Sequence, residues 1–290
     1  QPAASGKDKL SNVDFKKPIA NGPTTRGFDY YFGVDLPNFP PYCYIEQDRT
    51  LGLPSVVSTP EINRPGPMLA GWKQVDILPE IGRRSVKYIE DTIKSSVSEP
   101  FFLYVPLTSP HYPVVPSKEF QGKSKAGDYG DFVMQTDAVV GEILRALDRN
   151  GLTENTIVIF TSDNGPEVVG EVGIGAYERI RRFGHASMGR FRGVKRDLWE
   201  GGHRVPFLIR WPNQIKANTT SDETIAHTDL MATFAAILKT PLPNDAAEDS
   251  VDVSPAFRGD KVKREGLVHA GASGKLALRQ GDWVLIASPS

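Results

Sequence analysis

Hydrophobic residues after position 80 alternate between helical and strand-like spacing. Val86, Ile89 and Ile93 recur at helical spacing, which predicts a helix from Glu80 to about Ser95. The segment "EPFFLYVPLTSPHYP" then begins with a dense apolar run. Such a run is typical of a strand that is buried on both faces.

A second helix and strand follow. One helical face is marked by Phe132, Thr136, Val140, Ile143 and Leu147. Asn150-Gly151 ends this helix, because these residues tolerate the left-handed backbone that terminates helices. The apolar or β-branched residues Thr156 to Thr161 come next and predict a strand. A strand, a helix and a strand at these spacings form a βαβ unit with two parallel strands.

The rest of the chain predicts further elements of both kinds. "RVPFLIRWP" is typical of another buried strand, and "AHTDLMATFAAILKT" of an amphipathic helix with an Asp or Thr cap. From about Pro255, short alternating segments such as "EGLVHAG" indicate antiparallel strands. The first 80 residues, rich in Gly, Pro and Asn, predict long connections with short strands.

We therefore expect an α/β fold with a mostly parallel central sheet flanked by helices. Residues 1–254 are predicted to form this domain, incomplete at its N-terminal side. Residues 255–290 are predicted to begin a small antiparallel subdomain.

Composition narrows the function classes. The 290 residues carry a formal net charge of -1, which argues against a nucleic-acid or anionic-membrane partner. No apolar run reaches the 18 or more residues of a membrane span. Cys43, the only cysteine, cannot form an internal disulfide and is interpreted as a packing residue.

Chemically reactive side chains are expected where the predicted parallel strands end. Asp163 and Asn164 follow one strand, and His111 follows the other. Ligands of parallel sheets bind beyond the carboxyl ends of the strands, so these side chains are expected on one rim. Asp and Asn offer oxygen atoms, which suit Ca²⁺ or Mg²⁺. A simple turn at Asp163-Asn164-Gly165 and a hydrogen-bonded surface histidine at 111 remain open alternatives.

A glycine-rich basic segment, "GRFRGVKRDLWEGGHRVPF", supplies the third element. Lys195 is a point charge suited to a phosphate or sulfate oxygen, and the glycines allow the backbone to approach a ligand. A solvated basic loop is the alternative. Taken together, the three elements describe a pocket for an oxyanion ester bridged to a divalent cation.

The sequence that contains these elements resembles the formylglycine-dependent type I sulfatases of the alkaline phosphatase superfamily. The resemblance rests on "GPTTRGFDYYFG", "FFLYVPLTSPHYP", "LTENTIVIFTSDNGPE" and "FRGVKRDLWEGGHRVPFLIRWP", which occur in the family's order. It extends from about Asp14 to Ile286 and implies an alkaline phosphatase-like fold.

The resemblance implies a role for each matching residue. Asp163 and Asn164 would be two ligands of one Ca²⁺, and Lys195 would hold a sulfate oxygen. His111 would contact the ester side and assist the leaving group. Lys7 in "SGKDKLSN" would match the family's catalytic Lys. Lys9 stands where the family has a His that orients the nucleophile.

Two elements of the family pattern are absent from these 290 residues. The C/S-x-P-S/T-R motif that yields the formylglycine does not occur, and neither does the first strand with two further Asp ligands. The sequence is therefore interpreted as the body of a sulfatase without its N-terminal nucleophile segment. Such a piece would hold only part of the calcium ligand set and would be inactive alone.

The function expected from the resemblance is hydrolysis of sulfate monoesters, aryl or carbohydrate, by the complete form. His185 and the three arginines between positions 179 and 182 are candidates for contact with an anionic sugar, and a plain charged surface helix is the alternative. The family implies a secreted, periplasmic or lysosomal location. A catalytically silent sulfatase-like chain and a phosphate or phosphonate ester hydrolase are the other candidate functions.

Overall fold

The computed structural model describes residues 13–59, 64–95, 99–168 and 175–287. The chain divides into two compact units. The first contains Gln1–Asn150 with Arg182–His185, and the second contains Gly151–Arg181 with Ala186–Ser290. The predicted boundary at residue 254 is a different division and stays a prediction.

Short strands occupy the early part of the first unit, as predicted, and they pair in antiparallel register. Three of them form one sheet and two form another. The strands are β1 (Phe32–Gly33), β2 (Ile45–Glu46), β3 (Arg49–Thr50), β4 (Val56–Val57) and β5 (Pro67–Met68). Cys43 is fully buried, and burial, with a smaller effect of Asp35, raises the pKa of its thiol to about 11. The thiol is therefore protonated and serves packing.

Two long helices, α1 (Ile77–Ser95) and α2 (Gly127–Arg149), form the core of this unit and confirm the helical spacing of the sequence. Leu78 of α1 packs with Phe132 and Val139 of α2. Gly82 permits this approach, because a Cβ at that position would lie 2.8 Å from a methyl carbon of Val139. None of the helices in the described ranges is long and apolar enough to cross a membrane.

The strand predicted in "EPFFLYVPLTSPHYP" is not found, because residues 101–107 form no strand ladder within the described residues. Alternate side chains are covered, and Val105 and Leu107 pack on the core around Tyr42. Phe102 and Tyr104, on the opposite side, are 63% and 65% exposed. The segment thus has the period of a strand but only one covered face.

Buried polar side chains of α2 hold the loop that precedes it. The Asp131 carboxylate accepts hydrogen bonds from the backbone N–H groups of Gly122 (2.7 Å) and Ser124 (2.6 Å). Gln135 Oε1 accepts one from the backbone N–H of Ser117 (2.8 Å). Burial raises the pKa of Asp131, but these backbone donors outweigh it, and the net shift is downward.

The second unit contains four α-helices and five strands among its described residues. Its elements are β6 (Val158–Thr161), α3 (Ala176–Phe183), α4 (Glu200–His203), β7 (Phe207–Arg210), α5 (Asp229–Leu238), α6 (Ser254–Phe257), β8 (Leu267–Ala270), β9 (Leu276–Gln280) and β10 (Trp283–Ile286). The last two residues of α3 are counted with the first unit. The α/β class is confirmed.

The strand predicted at 156–161 forms as β6, but among the described residues no parallel ladder joins it to residues 101–107, the partner expected from the βαβ pattern. β6 pairs with β7 in antiparallel register, with Ile159 opposite Ile209 and Phe160 opposite Leu208. All ladders between named strands in the described residues are antiparallel. Phe160 and Leu208 are exposed, so neither strand is buried on both faces.

The antiparallel sheet predicted after Pro255 is confirmed by β8, β9 and β10, with β9 in the centre. It is connected to α4 by charged and aromatic contacts. Arg279 of β9 forms a salt bridge with Glu200 of α4. The rings of His203 and His269 lie with their centroids 3.8 Å apart. These contacts hold α4, whose glycines 201 and 202 are buried.

Asp131→Ala is expected to lower the free energy of unfolding by about 2–3 kcal/mol, because it leaves buried N–H groups without an acceptor. The exposed Asp137 lies on the same helix and provides the control. Asp137→Ala should change the free energy of unfolding by less than about 0.5 kcal/mol. Urea denaturation measures both values. The loss should shrink below about pH 4, since the contribution of a carboxylate with a lowered pKa disappears on protonation. Equal losses in the two variants would contradict the role of Asp131.

Stability is also expected to fall as the pH drops below about 6.5, the ordinary pKa of histidine. Burial, and then the neighbouring His269, lower the pKa of His203 in the folded protein, against the opposing effect of Glu200. The unfolded chain therefore binds this proton first, and stability is lost as pH falls through the lowered pKa.

The measurement is the melting temperature of the chain between about pH 8 and 5. His203→Phe should flatten the decline, whereas His185→Phe, at an exposed position, should leave it unchanged. Parallel curves for the unchanged chain and His203→Phe would show that His203 does not cause the decline.

Candidate active site

A tight turn after β6 presents Asp163 and Asn164. The Ser162 hydroxyl donates to the Asn164 carbonyl oxygen (3.2 Å), and the Asn164 side-chain amide donates to the Gly165 carbonyl oxygen (3.2 Å). Asp163 is exposed. Within the described ranges no hydrogen bond or ion pair engages its carboxylate. The turn therefore leaves carboxylate oxygens available to a ligand.

Backbone hydrogen bonds join this turn to the basic segment around Lys195. The N–H of Gly165 donates to the Gly202 carbonyl (2.9 Å), and the N–H of Lys195 donates to the Pro166 carbonyl (2.9 Å). Within the segment, the N–H of Gly201 donates to the Arg192 carbonyl (2.7 Å). The second unit thus brings Asp163, Asn164 and Lys195 into one structure.

Glycines make this approach possible. A Cβ at Gly165 would overlap the carbonyl oxygen of Gly201, and one at Gly201 would overlap that of Gly193. Gly193 itself has a φ of +89°, which side chains rarely adopt. The glycine spacing of "FRGVKRDLWEGG" is therefore required by close contact between backbones.

The Lys195 side chain is 18% exposed, and its Nζ lies 3.8 Å from Oε2 of Glu167. Arg196 binds the same carboxylate with two bonds, Nη1 to Oε1 (2.5 Å) and Nη2 to Oε2 (2.9 Å). Sequence reasoning did not single out Glu167. The available signal was an acidic residue in "DNGPE", three residues after the metal-type pair.

His111 lies in the first unit, on an exposed turn. Its backbone N–H donates to the Thr108 carbonyl (3.1 Å), and its Nδ1 lies 2.6 Å from the Tyr112 carbonyl oxygen. A carbonyl oxygen only accepts hydrogen bonds, so this contact assigns the ring proton to Nδ1. Nε2 is then the atom that faces a ligand. The shared rim of His111 with Asp163 and Asn164 stays a prediction.

His185 is exposed and belongs to the first unit, with its ring 6.2 Å from that of Tyr129 on α2. Arg179 has a different role from the one predicted, because it is buried and its Nε donates to the Ser187 hydroxyl (3.0 Å). It lies on the covered face of α3, beside the buried Ala176, and cannot meet a sugar. Lys7 and Lys9 lie outside the described residues.

Asp163 and Asn164 provide the type of ligand atom that a calcium ion prefers, but too few of them for a complete site. Asp163 and Asn164 offer the hard oxygen donors that Ca²⁺ prefers, whereas a full site needs six to eight oxygens. Among the described residues, no group of three or more His, Cys, Asp or Glu side chains is arranged to hold a metal ion. These residues can therefore supply one part of a calcium site.

Known proteins of one family are similar to this chain. The family model "Sulfatase" matches residues 11–240. An N-acetylgalactosamine-6-O-sulfatase of Bacteroides thetaiotaomicron is 41% identical over 216 residues, covering 74% of this chain and 41% of the relative. Human arylsulfatase A is 36% identical over 209 residues, covering 70% of this chain and 39% of the relative.

A solved structure from work on glycosaminoglycan metabolism by Bacteroides thetaiotaomicron superposes with a TM-score of 0.83. It is 32% identical, and the match covers 96% of this chain and 65% of the other. The chain spans less than half the length of the two curated relatives above. The matched residues, the identities and the superposition lead to one conclusion: the chain belongs to the sulfatase family.

Proposed function

We propose that this chain forms the body of a sulfatase, which in its complete form hydrolyses sulfate monoesters. The observation that carries the proposal is the backbone contact that joins Lys195 to the turn bearing Asp163 and Asn164. A cation and hard oxygen donors in one structure suit an anionic ester bridged to a divalent cation.

Each residue has a distinct part in the proposed reaction. The Lys195 ammonium donates to a sulfate oxygen and neutralises charge that builds up there as the S–O bond to the leaving group breaks. Asp163 and Asn164 would hold one side of a Ca²⁺, which would polarise the sulfate. His111, protonated on both ring nitrogens, donates the Nε2 proton to the departing alcohol or phenol oxygen.

The nucleophile is not assigned to this chain, because no C/S-x-P-S/T-R motif occurs in the 290 residues. Lys7 is proposed as a further catalytic residue on the family resemblance alone. A catalytically silent chain is the second candidate function, favoured by this missing motif. We therefore expect the isolated chain to bind sulfate esters without turning them over.

Carbohydrate sulfates are the proposed substrate class. The Bacteroides relative named above acts, by its name, on a sulfated amino sugar. The exposed His185 and the partly buried Tyr129, whose ring centroids lie 6.2 Å apart, are proposed to contact the sugar. A location outside the cytosol is proposed with the function.

Lys195→Ala is expected to weaken the binding of 4-nitrophenyl sulfate about tenfold, because a charge-assisted hydrogen bond is lost. Lys216→Ala, at an exposed position in the same unit, should leave it unchanged. Titration calorimetry gives both affinities, and absorbance of released nitrophenol gives turnover. Equal affinities in the two variants would contradict the sulfate role of Lys195. Turnover that Lys195→Ala abolishes would instead exclude the silent alternative.

The isolated chain should bind Ca²⁺ weakly, with a dissociation constant on the order of 1 mM, since it supplies few charged ligands. Asp163→Ala should weaken this binding at least about tenfold, whereas Asp260→Ala, also at an exposed aspartate, should not. Calorimetry with calcium chloride measures all three proteins. Unchanged affinity in Asp163→Ala would remove Asp163 from the ligand set.

A further inference from the structure

Glu167 is an acidic residue placed against the cation that the proposed function assigns to sulfate. A carboxylate beside Lys195 repels an anionic substrate, so a glutamate at this position requires an explanation. Arg196, which directly follows Lys195 in the sequence, binds the same carboxylate, and the backbone N–H of Val168 also donates to it (2.9 Å). The reason inferred for Glu167 depends on the proposed sulfate role of Lys195.

The two cations meet Glu167 in different ways. Arg196 takes both carboxylate oxygens, at 2.5 and 2.9 Å, in a two-bond arrangement that fixes the carboxylate's orientation. Lys195 Nζ lies 3.8 Å away, which is beyond hydrogen-bond distance. Glu167 therefore attracts the ammonium without occupying any of its three N–H donors. Those donors remain available to a sulfate oxygen.

The backbone enforces this arrangement. Lys195 and Arg196 are the two central residues of a turn, which is closed by a hydrogen bond from the Asp197 N–H to the Val194 carbonyl (3.0 Å). Arg196 has a φ of +81°, in the left-handed region that an arginine rarely adopts. Its carbonyl accepts the N–H of Ala272 (3.2 Å), and the Lys195 N–H is held by Pro166. An unfavourable backbone conformation is thus maintained where it brings both cations to Glu167.

Stability alone is a weak reason for the cluster. The Arg196 side chain is half exposed, and ion pairs in contact with water contribute little to folding. The net charge of Glu167, Lys195 and Arg196 offers a better reason. Glu167 and Arg196 cancel, so the three side chains together present one positive charge, located on Lys195.

We propose that Glu167, held by Arg196, positions the Lys195 ammonium and cancels the second cation, so that the site prefers singly charged sulfate monoesters over doubly charged phosphate monoesters. A sulfate monoester carries one negative charge at neutral pH. A phosphate monoester carries nearly two above its second pKa of about 6. Each charge unit added or removed nearby therefore changes phosphate binding more than sulfate binding.

The experiment compares phenyl sulfate with phenyl phosphate by calorimetry at about pH 8, where the phosphate ester is doubly charged. The 290-residue chain is used at a fixed calcium concentration. Glu167→Gln should raise the ratio of phosphate to sulfate affinity about fivefold, the effect of one charge a few ångströms away in a hydrated site. Arg196→Met leaves Glu167 uncancelled and should lower the same ratio by a similar factor.

Arg258→Met is the matched control, because it removes one positive charge at an exposed residue after α6 in the same unit. It should leave the ratio unchanged. Melting temperatures are recorded for every variant. If Glu167→Gln does not fold, Arg196→Met and Glu167→Asp decide the question, and Glu167→Asp should keep the original ratio.

Opposite shifts in Glu167→Gln and Arg196→Met support the inference, since a purely structural role would weaken both esters alike. An unchanged ratio, or shifts in the same direction, overturns it. Lys195→Ala separates this result from the proposed function. If Lys195→Ala weakens both esters but the ratio is unchanged in Glu167→Gln, only the inference fails. If Lys195→Ala weakens neither ester, the proposed function fails with it.

Discussion

Direct contact between backbones, without side chains between them, is the constraint on which the candidate site depends. Gly165 lies so close to Gly201 that any Cβ would overlap a carbonyl oxygen, and Gly201 is equally close to Gly193. The N–H of Gly165 and that of Lys195 donate across this contact. The turn with Asp163 and Asn164 is thereby fixed to the segment with Lys195. Main-chain contacts thus set the distance between these oxygen donors and the lysine.

The surrounding structure supports this contact. Glu200, next to the two glycines of α4, is paired with Arg279 of the C-terminal sheet, and His203 packs on His269 of the same sheet. The antiparallel subdomain therefore holds one side of the basic segment. In the first unit, Asp131 and Gln135 of α2 hold the loop that follows His111. Both units thus use buried or partly buried polar groups to fix loops that carry or directly follow candidate catalytic residues.

The sequence was sufficient for elements that depend on local spacing. α1 and α2 lie where hydrophobic residues, including Ile89 and Phe132, recur at helical spacing. β8 to β10 lie where hydrophobic and polar residues alternate over short segments. The burial of Cys43 was also foreseen. The turn at Asp163 and the basic glycine segment could be identified because hard oxygen donors, a lysine and glycines are chemically distinctive.

Features that depend on distant partners could not be obtained in this way. The apolar run at 101–107 resembles a doubly covered strand, yet covering requires neighbours that an apolar sequence cannot specify, and Phe102 remains exposed. Antiparallel pairing of β6 with β7 depends on the path of the intervening chain. Arg179 is cationic and was expected at the surface, but the Ser187 hydroxyl allows it to be buried. Glu167 gained its role only when Arg196 was found beside it.

Hydrogen exchange at the amides of Gly165 and Lys195 tests the central claim most directly. The account predicts that both amides are protected and share one opening free energy, because they donate across the same backbone contact. Residue-resolved NMR exchange on the 290-residue chain gives both values. Exchange of either amide at the rate of an unstructured peptide would contradict the claim that this contact fixes the site.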